Sequence, residues 1–205
     1  MEKFTRRTLE EYLNQLSSDE PVPGGGSVSA YVGALAMGLS QMVARVRLKR
    51  KKKTGLNEQE EKKDREERQT LQKIVDSLEK GKQDALEIVD LDPQVYQEVM
   101  SAYGHPEKLE DALQNSFRLQ ADLALLILMA RDWNAALVGL VQGSIKNDLL
   151  VSAALLDGAF RGAHHTAMIN AQYMKNPERK ERAQNALEEL KTRFEKGHAG
   201  AGQRS

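Results

Sequence analysis

The spacing of the five prolines in this 205-residue chain constrains its fold more than any other feature. Two bracket a turn and three follow helix-like segments: Pro21, Pro23, Pro93, Pro106 and Pro177. The segments between them are rich in Ala, Leu, Glu, Lys and Gln, which favour helices, and none alternates in the way of a half-buried strand. The sequence therefore predicts an all-α fold, a single-domain bundle of six to seven helices with long central helices. The domain is expected to span residues 1–197, followed by a flexible tail at residues 198–205.

Local signals indicate where several helices begin and end. Thr8 is expected to cap the first helix, with Glu11 as its capping-box partner. A helix over residues 27–48 carries small residues on several faces, so other helices can approach it closely and it should be central. Pro93 is expected to end one helix and to begin a short second one.

Composition excludes several classes of function. The chain has 30 Lys plus Arg and 30 Asp plus Glu, and a net charge of zero argues against binding to nucleic-acid backbones. It has no cysteine for a disulfide or a thiolate metal site, and the adjacent His164 and His165 diverge on a helix, so we expect no metal ion. Charges interrupt the most apolar segment, residues 119–141, and the N-terminus lacks an apolar signal segment. We expect a cytoplasmic protein that binds no membrane.

The sharpest local motif is a glycine turn, defined as residues 23–27. Three consecutive glycines carry a large cost in conformational entropy that a simple connection does not require. With Ser27 as the cap of the following helix, free backbone N–H groups would favour an anion or an electron-rich ring. The alternative is a tight turn that lets two helices cross.

Three blocks, in order along the chain, resemble one known family. The first is PVPGGGSVSAYVGALAMGLSQMVARV at residues 21–46, and the second is IVDLD at residues 88–92, followed by Tyr96 and Val99. The third runs over residues 147–170, from ND through AALL and RGA to IN. Together they resemble the formiminotransferase-cyclodeaminase C-terminal family, which includes free-standing methenyltetrahydrofolate cyclohydrolases. The resemblance extends from about residue 8 to residue 190.

The resemblance implies an all-helical homodimer that binds a reduced folate in a groove near the glycine turn. The implied reaction closes or opens a one-carbon bridge. Either formimino-tetrahydrofolate loses ammonia to give the methenyl form, or the methenyl form adds water to give 10-formyl-tetrahydrofolate. Both reactions pass through a tetrahedral carbon between N5 and N10, so they need proton transfer and no cofactor besides the tetrahydrofolate substrate. Because the chain carries no formiminotransferase segment, the cyclohydrolase reaction is slightly favoured.

Three carboxylates are candidates for moving the proton. Asp148 is the first, because it lies beside Lys146 and Asn147 at the expected start of a helix, in a block that resembles the family. The alternative is that Asn147 or Asp148 merely caps that helix. Asp90 and Asp92 lie at the expected helix junction in the second block, where the alternative is a solvent-facing cap. Burial or a neighbouring charge that raised the carboxyl pKa toward neutrality would suit any of the three to this task.

Other residues are candidates for holding the substrate. Tyr31 and Tyr96 can lie against a pterin ring, although a core role is more common. Arg161 lies in an apolar helix and needs a carboxylate on the protein, on a dimer partner or on the ligand. The basic stretch RVRLKRKKK, at residues 45–53, either attracts a polyanionic folate tail or is a solvated helix end. The proposed substrate-binding residues are Pro23, Gly24, Gly25, Gly26, Ser27, Tyr31, Tyr96, Lys146, Asn147, Arg161 and Asn170.

The chain departs from the family pattern in its third block. Thr166 and Met168 stand where the family has an Asn and an Arg, although Asn170 remains. The loss of that Arg weakens the expected grip on the substrate carboxylates. The rival hypothesis is therefore a non-catalytic helical protein, either a folate-binding module or a dimeric scaffold with a decayed site.

Overall fold

A computed structural model describes residues 3–50 and 55–201 of the chain, with side chains described to residue 197. Within these ranges the chain is all-α, as predicted, and a 3-10 turn at Phe4–Arg6 precedes six helices. The helices are α1 (Leu9–Leu16), α2 (Gly25–Lys49), α3 (Glu58–Ser101), α4 (Pro106–Leu140), α5 (Lys146–Tyr173) and α6 (Pro177–Ala201). Residues 51–54, in the basic stretch, and residues 202–205, in the predicted tail, lie outside the described residues.

Helix α2 is central, as its small residues predict. It packs on α3, α4 and α5, and its alanines at positions 30, 36 and 44 are fully buried. Gly162 lets the α5 backbone lie against Ser29, since a Cβ at position 162 would be 2.2 Å from Ser29 Oγ. Farther along α2, Ser40 Oγ donates to Asn134 Oδ1 at 2.8 Å and bonds Ser152 Oγ at 2.7 Å. These contacts make α2 and α5 antiparallel and fix their register.

Helix α3 is one continuous helix, so the prediction that a helix ends near Pro93 is wrong. Proline lacks the N–H that would donate to the carbonyl of residue 89, four positions earlier in the helix. The Ser27 hydroxyl takes that place and donates to Val89 O at 3.0 Å. A hydrogen bond from a residue far away in sequence therefore satisfies the carbonyl that the proline leaves open.

The predicted helix starts are partly right. Thr8 and Glu11 form the expected capping box. Ser27 is not the cap of α2, because the helix begins at Gly25 with Gly24 as its N-cap, and Ser27 lies inside the first turn. Neither Asn147 nor Asp148 caps α5, which begins one residue earlier with Ile145 at the N-cap.

Two helices are long and apolar enough to be candidate membrane-spanning segments. By length and composition alone, α2 and α4 each contain an 18-residue window that would suffice to cross a bilayer. In the folded chain 61% of the α2 window and 39% of the α4 window are buried inside the bundle. Core helices of a folded domain pass the same test, so these windows are weak evidence for a membrane location.

Leu78 tests the packing of the core. Its side chain is 0% exposed on α3, whereas Leu9 on α1 is 67% exposed. Leu78→Ala should lower the free energy of unfolding by about 2–5 kcal/mol, because it removes buried methyl groups and leaves a cavity. Leu9→Ala should change it by less than about 0.5 kcal/mol. Urea unfolding followed by circular dichroism measures both, and equal effects would contradict this description of the core.

Candidate functional site

The glycine turn is held in place by two buried polar side chains. Asp92 Oδ2 on α3 accepts a hydrogen bond from Ser27 N at 2.9 Å, and Asp92 Oδ1 accepts one from Gln120 Nε2 on α4 at 2.7 Å. Gly26 leaves room for this arrangement, because a Cβ there would lie 2.1 Å from Asp92 Oδ1 and 2.2 Å from Gln120 Nε2. The first turn of α2 is therefore fixed against α3 and α4.

Two backbone N–H groups remain open at this end of α2. Val28 N donates to Gly24 O, and Ser27 N donates to Asp92 Oδ2. Among the described residues, no acceptor is found for the N–H of Gly25 or Gly26. Helix N-termini attract anions and electron-rich atoms. Gly25 is exposed, so its N–H can reach a ligand.

Further polar side chains lie at the same end of the bundle. Gly25 faces Thr166 on α5, whose Oγ1 would be 3.8 Å from a Cβ at position 25. Asn170 lies one turn beyond Thr166 and donates from Nδ2 to Thr166 O. Tyr96 is half-buried one helical turn beyond Asp92 on α3. We define the glycine-turn cleft as the region bounded by these groups: Gly24, Gly25, Gly26, Asp92, Tyr96, Gln120, Thr166 and Asn170.

Asp92 has the electrostatics of a proton-transfer group. Burial raises the pKa of its carboxyl group above the ordinary value, while the hydrogen bonds from Ser27 N and Gln120 partly oppose the shift. The net direction is upward. A carboxylate with a raised pKa in a cleft both accepts and returns a proton more readily near neutral pH than an ordinary aspartate does.

Asp90 and Tyr31 lie nearby, on the side of the N-terminal segment. Asp90 accepts hydrogen bonds from Thr5 N at 3.1 Å and from Thr5 Oγ1 at 2.6 Å, and it is 8% exposed. The Tyr31 ring contacts the Tyr12 ring at a centroid distance of 5.4 Å, and both rings line a cavity with Phe4. In this chain Asp90 thus anchors the N-terminal segment, and Tyr31 packs against α1.

The third predicted group lies at the opposite end of the bundle. Lys146 and Asn147 are exposed and Asp148 is half-buried in the first turn of α5. From Asp148 to Thr166, beside the glycine turn, the helix spans 18 residues, or about 27 Å at 1.5 Å per residue. Within one subunit, Asp148 and the glycine turn do not face one cleft.

Three of the predicted basic residues, Arg45, Arg47 and Arg161, contact side chains of the same chain. Arg161 is exposed, and within the described residues its guanidinium lies 5.2 Å from the centroid of the Phe194 ring and forms no ion pair with a carboxylate. Arg45 pairs with Glu79, and Arg47 pairs with Glu67. Two basic residues of the stretch thus form ion pairs, whereas residues 51–53 lie outside the described residues, so the role of the stretch stays a prediction.

Sequence reasoning missed Gln120 and Tyr12. Gln120 is 0% exposed, and its position in an apolar helix was the signal for a buried polar contact. Tyr12 OH lies 3.2 Å from Ser27 Oγ, a contact that joins α1 to the glycine turn. No local pattern around Tyr12 indicates this partner.

Comparisons with known proteins give a consistent picture. The profile of the Formiminotransferase-cyclodeaminase family matches residues 8–189. A methenyltetrahydrofolate cyclohydrolase from Methylorubrum extorquens is 27% identical over 104 residues, which are 51% of this chain and 45% of that protein. The match thus spans less than half of the length of this curated relative. The solved structure of a formiminotetrahydrofolate cyclodeaminase from Thermotoga maritima superposes with a TM-score of 0.83 at 22% identity, over 95% of this chain and 93% of that one.

Gly26 provides a test of the site geometry. Gly26→Ala should separate Asp92 from Gln120 and lower the free energy of unfolding by about 1–3 kcal/mol, because the added Cβ would lie 2.1 Å from Asp92 Oδ1 and 2.2 Å from Gln120 Nε2 and would force their hydrogen bond apart. Gly139→Ala, in α4 with nothing within 4 Å of the added Cβ, is the matched control. It should be neutral or stabilising by up to about 1 kcal/mol. Urea unfolding measures both, and a neutral Gly26→Ala would contradict the close packing.

Proposed function

Because the chain belongs to the formiminotransferase-cyclodeaminase family, we propose that it is a folate one-carbon enzyme that acts in the glycine-turn cleft. Its substrate is 5,10-methenyl-tetrahydrofolate, which it hydrolyses, or formimino-tetrahydrofolate, from which it releases ammonia. The observation that carries this proposal is the buried carboxylate of Asp92, held against an open helix N-terminus by Ser27 N and Gln120. This is acid–base chemistry next to a site for an electron-rich ring.

Asp92 is the proposed proton-transfer residue. In hydrolysis of the methenyl bridge its carboxylate takes a proton from the attacking water as the carbon–oxygen bond forms, and the resulting acid returns this proton to the nitrogen whose bond to the tetrahedral carbon breaks. The remaining hydroxyl proton passes to solvent as the formyl group forms. In cyclodeamination N10 attacks the carbon of the protonated formimino group, and the Asp92 carboxylate takes the N10 proton as the new carbon–nitrogen bond forms. The acid form then gives this proton to the amino group, whose bond to the carbon breaks as it leaves as ammonia. The open N–H group of the exposed Gly25 holds the electron-rich part of the substrate. Tyr96, Thr166 and Asn170 surround it.

The proposed chemistry needs proton transfer only. The reacting bonds are carbon–nitrogen and carbon–oxygen bonds at an unchanged oxidation level, so the folate substrate and, in hydrolysis, water are the reactants, and no metal or redox cofactor is proposed. We place the reaction in the cytoplasm, where a soluble folate substrate is available.

The proposed partner is a second copy of the chain, docked on an uncharged face that α2 and α5 form together. Several of its side chains are exposed, among them Leu35 at 50%, Leu150 at 61% and Val151 at 45%. An apolar face of this length is typical of an interface between subunits. We define the α2–α5 face by its residues: Val28, Val32, Leu35, Leu39, Met42, Val46, Leu150, Val151, Ala154 and Gly158.

A two-fold axis through this face gives Asp148 a place in the proposed site. Such an axis pairs α2 of one subunit with α2 of the other in opposite directions. The start of α5 in one subunit then approaches the glycine turn of the other. Asp148 of the partner subunit, together with its neighbours Lys146 and Asn147, would thereby border the cleft that contains Asp92.

Two substitutions test the assignment of Asp92. Asp92→Asn should lower kcat for loss of the methenyl-tetrahydrofolate absorbance at least about 100-fold, because the amide cannot accept the proton. In the wild type this activity should fall as the pH drops through the raised pKa of Asp92, above the range of an ordinary aspartate. Asp148→Asn is compared under the same conditions, after correction for spontaneous hydrolysis. Full activity of Asp92→Asn would reject Asp92 as the proton-transfer residue.

An ammonia-release assay with formimino-tetrahydrofolate separates the two substrates. Activity with one substrate assigns the reaction. Activity with neither would contradict the enzyme hypothesis and leave the non-catalytic folate-binding or scaffold protein, which equilibrium binding of a folate would then identify.

Mixing inactive variants tests the shared site. If Asp148 acts across the subunit interface, an exchanged mixture of Asp92→Asn and Asp148→Asn chains recovers roughly a quarter of the wild-type activity, since each mixed dimer has one intact site. No recovery, although mass spectrometry detects mixed dimers, would contradict the shared site. Leu35→Glu is the companion variant. It should give a monomer in analytical ultracentrifugation, because it buries a charge in the proposed interface.

A further inference from the structure

Gln120 is the most unusual buried residue in the described part of the chain. It is 0% exposed, and its Nε2 donates to Asp92 Oδ1 at 2.7 Å. Its other polar atom, Oε1, is buried and has no hydrogen-bond partner among the described residues. A buried acceptor without a partner costs about 1–3 kcal/mol.

Packing alone does not account for a glutamine at this position. Its immediate neighbours are the carboxylate of Asp92 and the backbone of Gly26. Methionine has nearly the same length and would fill the same space without leaving an unpaired oxygen. The unpaired oxygen therefore indicates a second arrangement of the side chain in which that atom is used.

We propose that Gln120 is a positioning residue that serves both protonation states of Asp92. Toward the carboxylate, Nε2 donates, as observed. When Asp92 carries the proton, rotation of the amide by half a turn brings Oε1 to the place of Nε2, where it accepts the carboxylic O–H. The inference rests on the proposed function. It assigns to Gln120 the role of holding Asp92 in one orientation between the step that takes the proton and the step that returns it.

The surroundings of Asp92 favour such a device. Two titratable groups lie in its vicinity, Tyr12 on α1 and Asp90 on α3; Tyr12 bonds Ser27 Oγ, and Asp90 bonds Thr5. The groups that α2 and α4 present to the Asp92 carboxylate, Ser27 N and Gln120, are uncharged, and Thr166, the nearby α5 side chain at the turn, is also uncharged. Among the described residues Asp92 pairs with no cation, and Gln120 is its one side-chain hydrogen-bond partner, so Asp92 changes protonation state beside Gln120 alone.

Kinetics of Gln120→Met tests the proposal. The variant should lower kcat about tenfold, the worth of one hydrogen bond of about 1.4 kcal/mol, while KM stays within about twofold because Gln120 is fully buried and acts through Asp92. The acidic limb of the pH profile should move to higher pH, because the variant loses a bond in each protonation state and the charge-assisted bond to the carboxylate is the stronger of the two. Ser116→Ala, another buried polar position one turn away on α4, is the control and should leave the kinetics and the pH profile unchanged. Unchanged kcat and pH profile in Gln120→Met would overturn the proposal.

A second measurement does not depend on activity. In protein labelled with ¹³C at the aspartate carboxyl groups, the Asp92 signal is assigned by its loss in Asp92→Asn. Its titration midpoint should be higher in Gln120→Met than in the wild type, and higher again in Gln120→Glu, where two carboxyl groups share the site. In the wild type, the side-chain amide signals of Gln120 should change with the same midpoint. An amide signal that does not follow Asp92, or a midpoint that both variants leave unchanged, would contradict the rotation.

The two measurements separate this inference from the proposed function. A wild-type protein that is inactive on both folates, but in which Gln120 follows the titration of Asp92, would contradict the proposed reaction and support the coupling of the two side chains. If the wild type is active and Gln120→Met leaves kcat unchanged, the proposed reaction is supported and the positioning role of Gln120 is contradicted.

Discussion

The contact of Ser27 with α3 around Pro93 is the interaction on which the site depends. Pro93 removes a helical donor, and the Ser27 hydroxyl replaces it at Val89 O. Next to it, Asp92 accepts from Ser27 N. One residue of α2 thus satisfies a carbonyl of α3, while a residue of α3 satisfies an N–H of α2. Because both hydrogen bonds are buried, they fix the position of the glycine turn relative to α3.

The two ends of α2 differ in how their terminal backbone groups are hydrogen-bonded. This difference indicates which end of the bundle can bind a ligand. At the C-terminal end, Arg68 donates to Leu48 O at 3.0 Å and to Arg50 O at 2.8 Å, which closes the helix. At the N-terminal end, Gly25 and Gly26 keep open N–H groups. The antiparallel register of α5 brings Thr166 and Asn170 to the open end. An end with unpaired donors and surrounding polar side chains is where a ligand gains most from binding.

Features that depend on neighbouring residues could be predicted from the sequence. Predictions were wrong where contacts between residues far apart in sequence determine the structure. The capping box at Thr8 depends on four consecutive residues, and the small residues of α2 directly indicate that other helices pack closely on it. Pro93 was misjudged because its compensating donor lies 62 residues before Val89. The separation of Asp148 from the glycine turn follows from a helix register set by buried contacts such as Gly162 against Ser29, which no local pattern reveals.

Asp92 links the stability of the fold to its proposed chemistry. Because its pKa is raised in the folded state, its contribution to stability is greatest at low pH, where it is protonated in both states, and falls as the pH rises from the unfolded to the folded pKa. At neutral pH the buried carboxylate therefore opposes folding, while its hydrogen bonds with Ser27 N and Gln120 offset part of that cost. A substitution that neutralises Asp92 can keep the fold and lose the chemistry. Stability and activity at this position are thus expected to change in opposite directions, which is the signature of a residue whose burial serves function rather than folding.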